Sequence, residues 1–299
     1  MKTIHSHIVP KGIKNIRLQD YAFKVFENQI PSKSGIKKAI KRGEIFVEGK
    51  VAQTGTWINE GQFLELYETS ANLPKVYEFK LEVVFEDNHL AVINKPAGIS
   101  VSGNKFKTIY NALPFNLSKS SEIDVLSWPT PVHRLDNQTS GILLIAKTKT
   151  AQIELGKQFE NQIIQKKYGA IVIGEVCGNT FINSPIENKN AETNFEIIET
   201  IKSLKFNKLT SLKVYPKTGR THQIRIHLAS IGHQILGDKL YGNKEMIHKG
   251  KGLFLCANEI KFLHPKTFKP IHIKIDIPNK FKSMLIREKR RWNTYNLTK

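Results

Sequence analysis

The strongest constraint on the fold is the stretch Pro131-Val132-His133-Arg134-Leu135-Asp136-Asn137-Gln138-Thr139-Ser140-Gly141-Ile142-Leu143-Leu144-Ile145-Ala146-Lys147. Its second half, Ile142 to Ala146, is a short unbroken apolar run bounded by turn residues, the pattern of a buried strand. Its first half sets one carboxylate, Asp136, between basic side chains and a tight Thr-Ser-Gly turn. An acid on a loop entering a buried strand is held by a rigid scaffold and flanked by donors, a common setting for catalytic groups. The same residues also fit a plain structural ion pair between Asp136 and Arg134.

Charge narrows the choice of partner. Across 299 residues, 46 Lys and Arg oppose 26 Asp and Glu, a formal net charge of +20. The excess is clustered: Thr200 to Gly237 holds seven bases and no acid, and Lys280 to Lys299 holds seven bases against Glu288 alone. Clustered cations favour a polyanion, because each phosphate neutralised releases counterions. No apolar run approaches the roughly 18 residues that a membrane helix needs. The opening Met1-Lys2-Thr3-Ile4-His5-Ser6-His7 lacks the apolar centre of a signal peptide, so a cytoplasmic protein is expected. Cys177 and Cys256 are too far apart for a zinc cluster or disulfide framework and read as small buried apolar residues.

The N-terminal fifth reads as a small separate unit. Leu18, Ala22, Val25 and Phe26 recur at helical spacing, with Pro31 as the stop. Ser32 or Ser34 can cap a second helix that runs to Arg42 and stops at Gly43. Ile36, Ala39 and Ile40 form its apolar face, while Lys33, Lys37, Lys38, Lys41 and Arg42 line the rest. By itself a basic helix is usually a solvated face. A hairpin around Glu48-Gly49 and a strand from Gly61 to Tyr67 follow, then a linker at Asn72-Leu73-Pro74-Lys75.

Downstream, strands are expected over Leu81 to Phe85 and Leu90 to Ile93, the second leading into Asn94-Lys95-Pro96-Ala97-Gly98. The segment Ser102 to Ser121 is polar and reads as a variable loop. A helix carries Ala151, Leu155 and Phe159, and a strand follows from Lys166 to Gly174. Strands also fall at Phe195–Ile197 and Leu212–Val214, with Pro216-Lys217-Thr218-Gly219 as the turn. Within Gly219-Arg220-Thr221-His222-Gln223-Ile224-Arg225-Ile226-His227-Leu228-Ala229, Thr221 can cap a helix ended by Gly232. Its two histidines lack the carboxylate or cysteine at the spacing a zinc site needs. Leu253 to Ala257, Ile260 to Leu263 and the alternating Ile271, Ile273, Ile275 and Ile277 complete a mixed or antiparallel sheet.

Taken together these strings resemble a known family. His133-Arg134-Leu135-Asp136, two variable residues, Thr139-Ser140-Gly141 and an apolar strand ending Ala146-Lys147 resemble the RluA family of pseudouridine synthases, as do Lys166-x-Tyr168 and the segment around Arg225. Ser32 to Ile40 with Gly43 to Lys50 resembles an S-four-like RNA-binding domain. The resemblance spans roughly residues 16 to 278. It implies an α+β chain: a small α/β RNA-binding domain at 14–70, then a catalytic domain at 78–280 with a mixed, mainly antiparallel sheet flanked by helices. Residues 281–299 form a basic tail, disordered or an added RNA contact.

The resemblance also implies roles. Asp136 is the nucleophile, Tyr168 stacks on the target base, Arg225 pairs with Asp136, and Ile224 packs against the flipped base. Arg134 fills the vacated stack. His133, Lys166, Arg220 and the helix residues Lys33, Lys37, Lys38, Lys41 and Arg42 are the remaining RNA contacts. The reaction detaches uracil from ribose C1′, turns it and rejoins it through carbon. Nothing is oxidised or donated, so neither cofactor nor metal is expected. Ribosomal RNA of the large subunit is the preferred substrate, with tRNA as the alternative. The rival from another class is a non-catalytic RNA-binding or ribosome assembly protein, which would not need Asp136, Tyr168 and Arg225 together.

Overall fold

A computed structural model describes residues 2–30, 32–68, 74–178, 180–246 and 250–297. It divides into two compact units at Pro74–Lys75. Pro31 as a helix stop, and Asn72 and Leu73 of the expected linker, lie outside the described residues.

The first unit runs β1 (Lys2–Ile8), β2 (Ile16–Arg17), α1 (Leu18–Val25), α2 (Lys33–Lys41), β3 (Ile45–Val47), β4 (Lys50–Val51), β5 (Trp57–Ile58) and β6 (Phe63–Glu68). Antiparallel pairing gives the order β1-β6-β3-β4, with β2 and β5 paired apart. It begins earlier than residue 14, because β1 lies along the whole of β6. Leu18 and Ala22 of α1 pack with Ile36, Ala39 and Ile40 of α2 over Ile45, Leu64 and Leu66 of the sheet. The Ser32 hydroxyl caps α2 by accepting the Gly35 N–H at 3.0 Å. Gly43, at φ +69°, ends it in the left-handed region. With one face of α2 buried, Lys33, Lys37, Lys38, Lys41 and Arg42 are all exposed.

The second unit runs β7 (Glu82–Glu86), β8 (Leu90–Lys95), α3 (Ile109–Asn116), β9 (Val125–Pro131), β10 (Ser140–Thr148), α4 (Lys149–Glu160), β11 (Gln165–Ile173), β12 (Phe181–Ile182) and β13 (Thr193–Ser203). It continues with β14 (Asn207–Pro216), α5 (Gln223–Ser230), β15 (Leu255–Leu263), β16 (Pro270–Lys274) and α6 (Asn279–Leu297). The strands form one sheet, β12-β13-β14-β11-β15-β10-β8-β7, with β9 added to β10 and β16 to β15. The β10–β15 pairing is parallel and the others are antiparallel, so the α+β fold with a mixed, mainly antiparallel sheet is the one found.

The apolar run of the signature is the middle of that sheet. All nine residues of β10 are buried. Leu143 and Ile145 face one core cluster and Ile142 and Leu144 another, on the opposite side of the sheet. Each such side chain contributes roughly 1.5–3 kcal/mol on burial, which pins the strand and the loop that enters it.

Several local expectations change. Eight residues of the polar segment 102–121 are α3, capped by the Thr108 hydroxyl and burying Ile109, Ala112 and Leu113. The periodicity is hidden because Pro114 interrupts a short helix. Where it is described, the basic tail is helical: α6 runs through to Leu297 and packs against β13 through Phe281, Met284 and Leu285, and Thr298 and Lys299 lie outside the described residues. Pro216–Gly219 leads into α5, whereas the turn joining β13 to β14 lies at residues 204–206. Cys256 is buried as expected, but Cys177 is exposed. Among the described residues no helix is long and apolar enough to cross a membrane.

Candidate active site

Asp136 sits in the turn between β9 and β10, and backbone and buried polar groups hold that turn from several sides. Thr139 donates its N–H to the Asp136 carbonyl at 3.1 Å. The Asn137 carbonyl accepts from the Gly98 N–H at 2.8 Å and from Lys95 Nζ at 3.1 Å. Lys95, at the end of β8, is fully buried and donates also to the Pro96 and Ile99 carbonyls, each at 2.9 Å. Burial pulls its pKa down to about 8, against the opposing pull of the Asp136 charge. His133 Nε2 accepts the Leu144 N–H at 3.1 Å. Burial, with the Lys166 charge adding to it, pushes the His133 pKa down to about 3. The ring is therefore a neutral strut between the turn and β10.

Gly141 explains the small residues after the turn. Its φ is +116°, and a side chain there would collide with the backbone of Ala257 on β15. Glycine alone lets β10 approach β15 at this register.

The opposite wall comes from the turn before α5 and from the helix itself. Gln223 gathers that turn: its side-chain oxygen accepts from the Thr218 hydroxyl and the Arg220 N–H, and its amide donates to the Glu192 carbonyl and the Thr193 hydroxyl at the start of β13. The helix starts at Gln223 without a Thr221 cap, because His222 takes the left-handed conformation at φ +56°. That conformation presents its ring to Asp136, with Nε2 3.7 Å from Oδ1 and Nδ1 2.8 Å from the Tyr241 hydroxyl. His227 is buried between the Thr193 hydroxyl and the Ser184 carbonyl, so the two histidines serve different surroundings.

Arg225 joins the two walls. Its Nη1 donates to Asp136 Oδ2 at 3.3 Å, and Nε and Nη2 grip both oxygens of Asp238 at 2.8 and 2.9 Å. Asp238 is itself fixed by the backbone N–H groups of Leu240 and Tyr241. Burial works against the guanidinium charge, but its bonds to Asp238 and Asp136 outweigh it and hold the pKa of Arg225 above the usual value. The Asp238 carboxyl is likewise kept below the usual range: its burial is overcome by the bonds from Arg225 and the backbone. A bidentate pair fixes the plane of the guanidinium, so the edge turned to Asp136 is set in advance. The carboxylate pairs with Arg225 and not with Arg134, which is exposed.

Between these walls lies a cleft of about 510 Å³. Asp136, Tyr168, Arg225, His133, Arg134, Lys166, Ile224 and Arg220 all line it. Tyr168, on β11, is packed between two core clusters; burial, then the charge of Asp136, raises its pKa. Ile224 supplies an apolar wall, and burial lowers the pKa of Lys166, which lies over the Phe159 ring at 5.9 Å. Arg220 is tethered by its Nε to the Asn190 carbonyl at 2.9 Å. Thr139 also lines the cleft, and its buried hydroxyl has no hydrogen-bond partner among the described residues. The basic side chains of α2 belong to the other unit. There Lys33 pairs with Asp20 at 3.0 Å and Arg42 with Glu44 at 2.5 Å.

Sequence reasoning missed Asp238, His222, Tyr241, Lys95 and Thr139 as parts of this site. Asp238 had a signal: it is the first acid after the acid-free stretch from Thr200 to Gly237. The role of His222 had none, because it depends on one residue turning left-handed.

The geometry has relatives. The family described as RNA pseudouridylate synthase matches residues 89–230, which contain Asp136, Tyr168 and Arg225. An uncharacterized RNA pseudouridine synthase of Aquifex aeolicus is 34% identical over 281 residues, covering 85% of this chain and 88% of that protein. Ribosomal large subunit pseudouridine synthase C of Vibrio vulnificus is 34% identical over 81% of this chain and 83% of its own length. Synthase D of Buchnera aphidicola is 31% identical over 93% of this chain and 96% of its own length. The solved structure of human RNA pseudouridylate synthase domain containing 1 shares the fold, with a TM-score of 0.54 at 22% identity over 67% of this chain and 84% of that one. Matched nearly end to end by such relatives, this chain belongs to the RluA family of RNA pseudouridine synthases and is an isomerase.

Proposed function

We propose that the protein isomerises specific uridines of large-subunit ribosomal RNA, with Asp136 as the catalytic carboxylate. The observation that carries the reading is the Asp136–Arg225–Asp238 chain facing a cleft whose other wall is Tyr168. Arg225 Nη1, 3.3 Å from Oδ2, fixes the direction of the carboxylate. An isomerisation breaks N1–C1′ and forms C5–C1′, with the proton of C5 leaving and N1 gaining one. A carboxylate at this place can attack C1′, attack the base, or take a ribose C2′ proton, and each route needs it charged.

A uridine within folded RNA hides its glycosidic bond, so the base has to leave the stack before it can reach a cleft of this size. Loss of stacking costs a few kcal/mol, and an aromatic wall offsets part of it. Tyr168 is suited to that contact and Ile224 to the apolar face beside it. The unpartnered Thr139 hydroxyl offers a polar contact, and exposed Arg134 is placed to occupy the gap left in the RNA. Lys166, Arg220 and His133 complete the wall. We assign the first unit to RNA binding in the S-four-like manner, through Lys37, Lys38 and Lys41, with Lys33 and Arg42 flanking.

Ribosomal RNA is favoured over tRNA because relatives covering most of this chain are named as large-subunit synthases. Incubating the protein with large-subunit ribosomal RNA transcripts and, separately, with tRNA, followed by chemical mapping of pseudouridine, tests both substrate and activity. New pseudouridine in the ribosomal transcript alone is the expected result. Modification of tRNA alone overturns the substrate assignment, and modification of neither overturns the activity.

A further inference from the structure

The catalytic cleft does not use the basic C-terminal run, and the structure gives that run a different setting. On α6 the residues Phe281, Met284, Leu285 and Glu288 are buried at helical spacing, and Trp292 and Tyr295 continue the same stripe toward the C-terminus. Glu288, the one acid in Lys280 to Lys299, is only 2% exposed. Its carboxylate accepts from the Ser203 hydroxyl at 2.6 Å and pairs with Arg291 at 3.3 Å. Its charge is thus spent inside the molecule, while Lys282, Lys289, Arg290 and Arg291 are exposed. Lys289 is bonded to Glu199 at 2.6 Å.

The β13–β14 hairpin meets this end of the helix. Leu204, Lys205, Phe206 and Asn207 line a concavity together with Trp292 and Tyr295. Lys202 Nζ lies 5.3 Å from the Trp292 ring, and Tyr295 is 44% exposed. Aromatic rings in a concave surface with Lys202 and Lys205 beside them are what single-stranded nucleic acid needs: planes to stack on and charges for its backbone. A folded protein partner would instead be met by a depletion of lysine at the contact.

Its position is informative. Thr193, at the start of β13, contacts Gln223 beside the cleft, and Ser203 is at the other end of the strand. Ten steps of about 3.3 Å place the hairpin about 30 Å from that wall. A small stem-loop that just fills the cleft does not reach it.

We propose that the hairpin of β13 and β14 with the C-terminal turns of α6 is a second RNA-binding surface, which takes a single-stranded segment of the same RNA about 30 Å from the target uridine. The proposal rests on the substrate being RNA. It makes the protein a reader of extended RNA architecture, with affinity contributed far from the chemistry.

The test compares the full-length protein with Lys202→Glu/Lys205→Glu and with Trp292→Leu. Each is measured on a ribosomal RNA fragment of some hundred nucleotides and on a minimal stem-loop cut from it around the mapped uridine. Binding is followed from 50 to 300 mM KCl alongside single-turnover pseudouridine formation. The charge reversal is expected to weaken binding of the long fragment about tenfold and to lower its salt slope by about 2. Trp292→Leu is expected to weaken it several-fold with the slope unchanged. Stem-loop binding and the saturated single-turnover rate stay at the wild-type level. The proposal is overturned if variants with wild-type thermal unfolding bind the long fragment normally, or lose stem-loop binding equally. If the wild type forms no pseudouridine on any RNA while both variants still lose affinity for the long fragment, the activity assignment fails and this surface stands.

Discussion

Asp136 has its direction set by two neighbours. Arg225 faces one oxygen and His222 the other, and Asp238 locks Arg225 in place. Asp136→Asn keeps the shape but removes the charge. The single-turnover rate should fall by on the order of a thousandfold or more, with RNA affinity within about twofold; a residual rate within tenfold of wild type would refute the assignment. His133 makes a separate prediction. Unfolded, imidazole titrates near 6.5, while in the folded chain the value is about 3. Between those values the unfolded chain binds a proton that the folded chain refuses, so stability is lost as pH falls through the window. His133→Gln, which retains an acceptor for the Leu144 N–H, should remove about 2 kcal/mol of the loss between pH 7.5 and pH 5. Urea unfolding of both proteins at the two pH values measures it, and equal losses would refute a neutral, buried ring.

The catalytic turn is only as well placed as β10, and β10 is held by its contact with β15. Ser140 and Gly141 pair in parallel with Cys256 and Ala257. Gly141→Ala would force the strands apart at the entrance to the turn and strain a positive φ that alanine disfavours. A loss of about 3 kcal/mol in folding stability is expected, with a fall in activity that persists at temperatures where the protein remains folded. Thermal unfolding and single-turnover assays check both; wild-type behaviour would mean the close approach is dispensable. The Ser-Gly of the signature therefore belongs to sheet packing, next to a residue that belongs to chemistry. Lys95 has a comparable supporting part, since it ties three carbonyls, including that of Asn137, at the end of β8.

At +20, the molecule carries a field that gathers polyanions wherever they first arrive, and its two units divide the cations. On α2, Lys33 and Arg42 have partners in Asp20 and Glu44. Lys37, Lys38 and Lys41 have none among the described residues and are exposed. Replacing these three by alanine should lower the slope of log affinity against log salt by about 2 to 3 and weaken ribosomal RNA binding at low salt. The pseudouridine rate at saturating RNA should be unchanged. An unaltered slope would show that the helix is a solvated face and nothing more.

Much of this was legible in the chain. The run Ile142–Ala146 named the central strand, because apolar side chains on both faces leave it nowhere else to go, and the residues grouped by the family strings do line one cleft. Helix α2 was legible from Ser32, its apolar face and Gly43, since caps and periodicity act within a few residues. What remained hidden depends on distant partners. That Arg225 pairs with Asp136 came from the family resemblance alone; the residues by themselves equally allowed Arg134, and the physical reason for Arg225 is Asp238 holding its guanidinium, 13 residues further on. The ordered α6 depends on β13, whose Ser203 takes up Glu288 across 85 residues. Local physics writes elements into sequence. Pairing between charges brought together by folding cannot be written there, because its energy depends on distances that exist only once the chain has closed on itself.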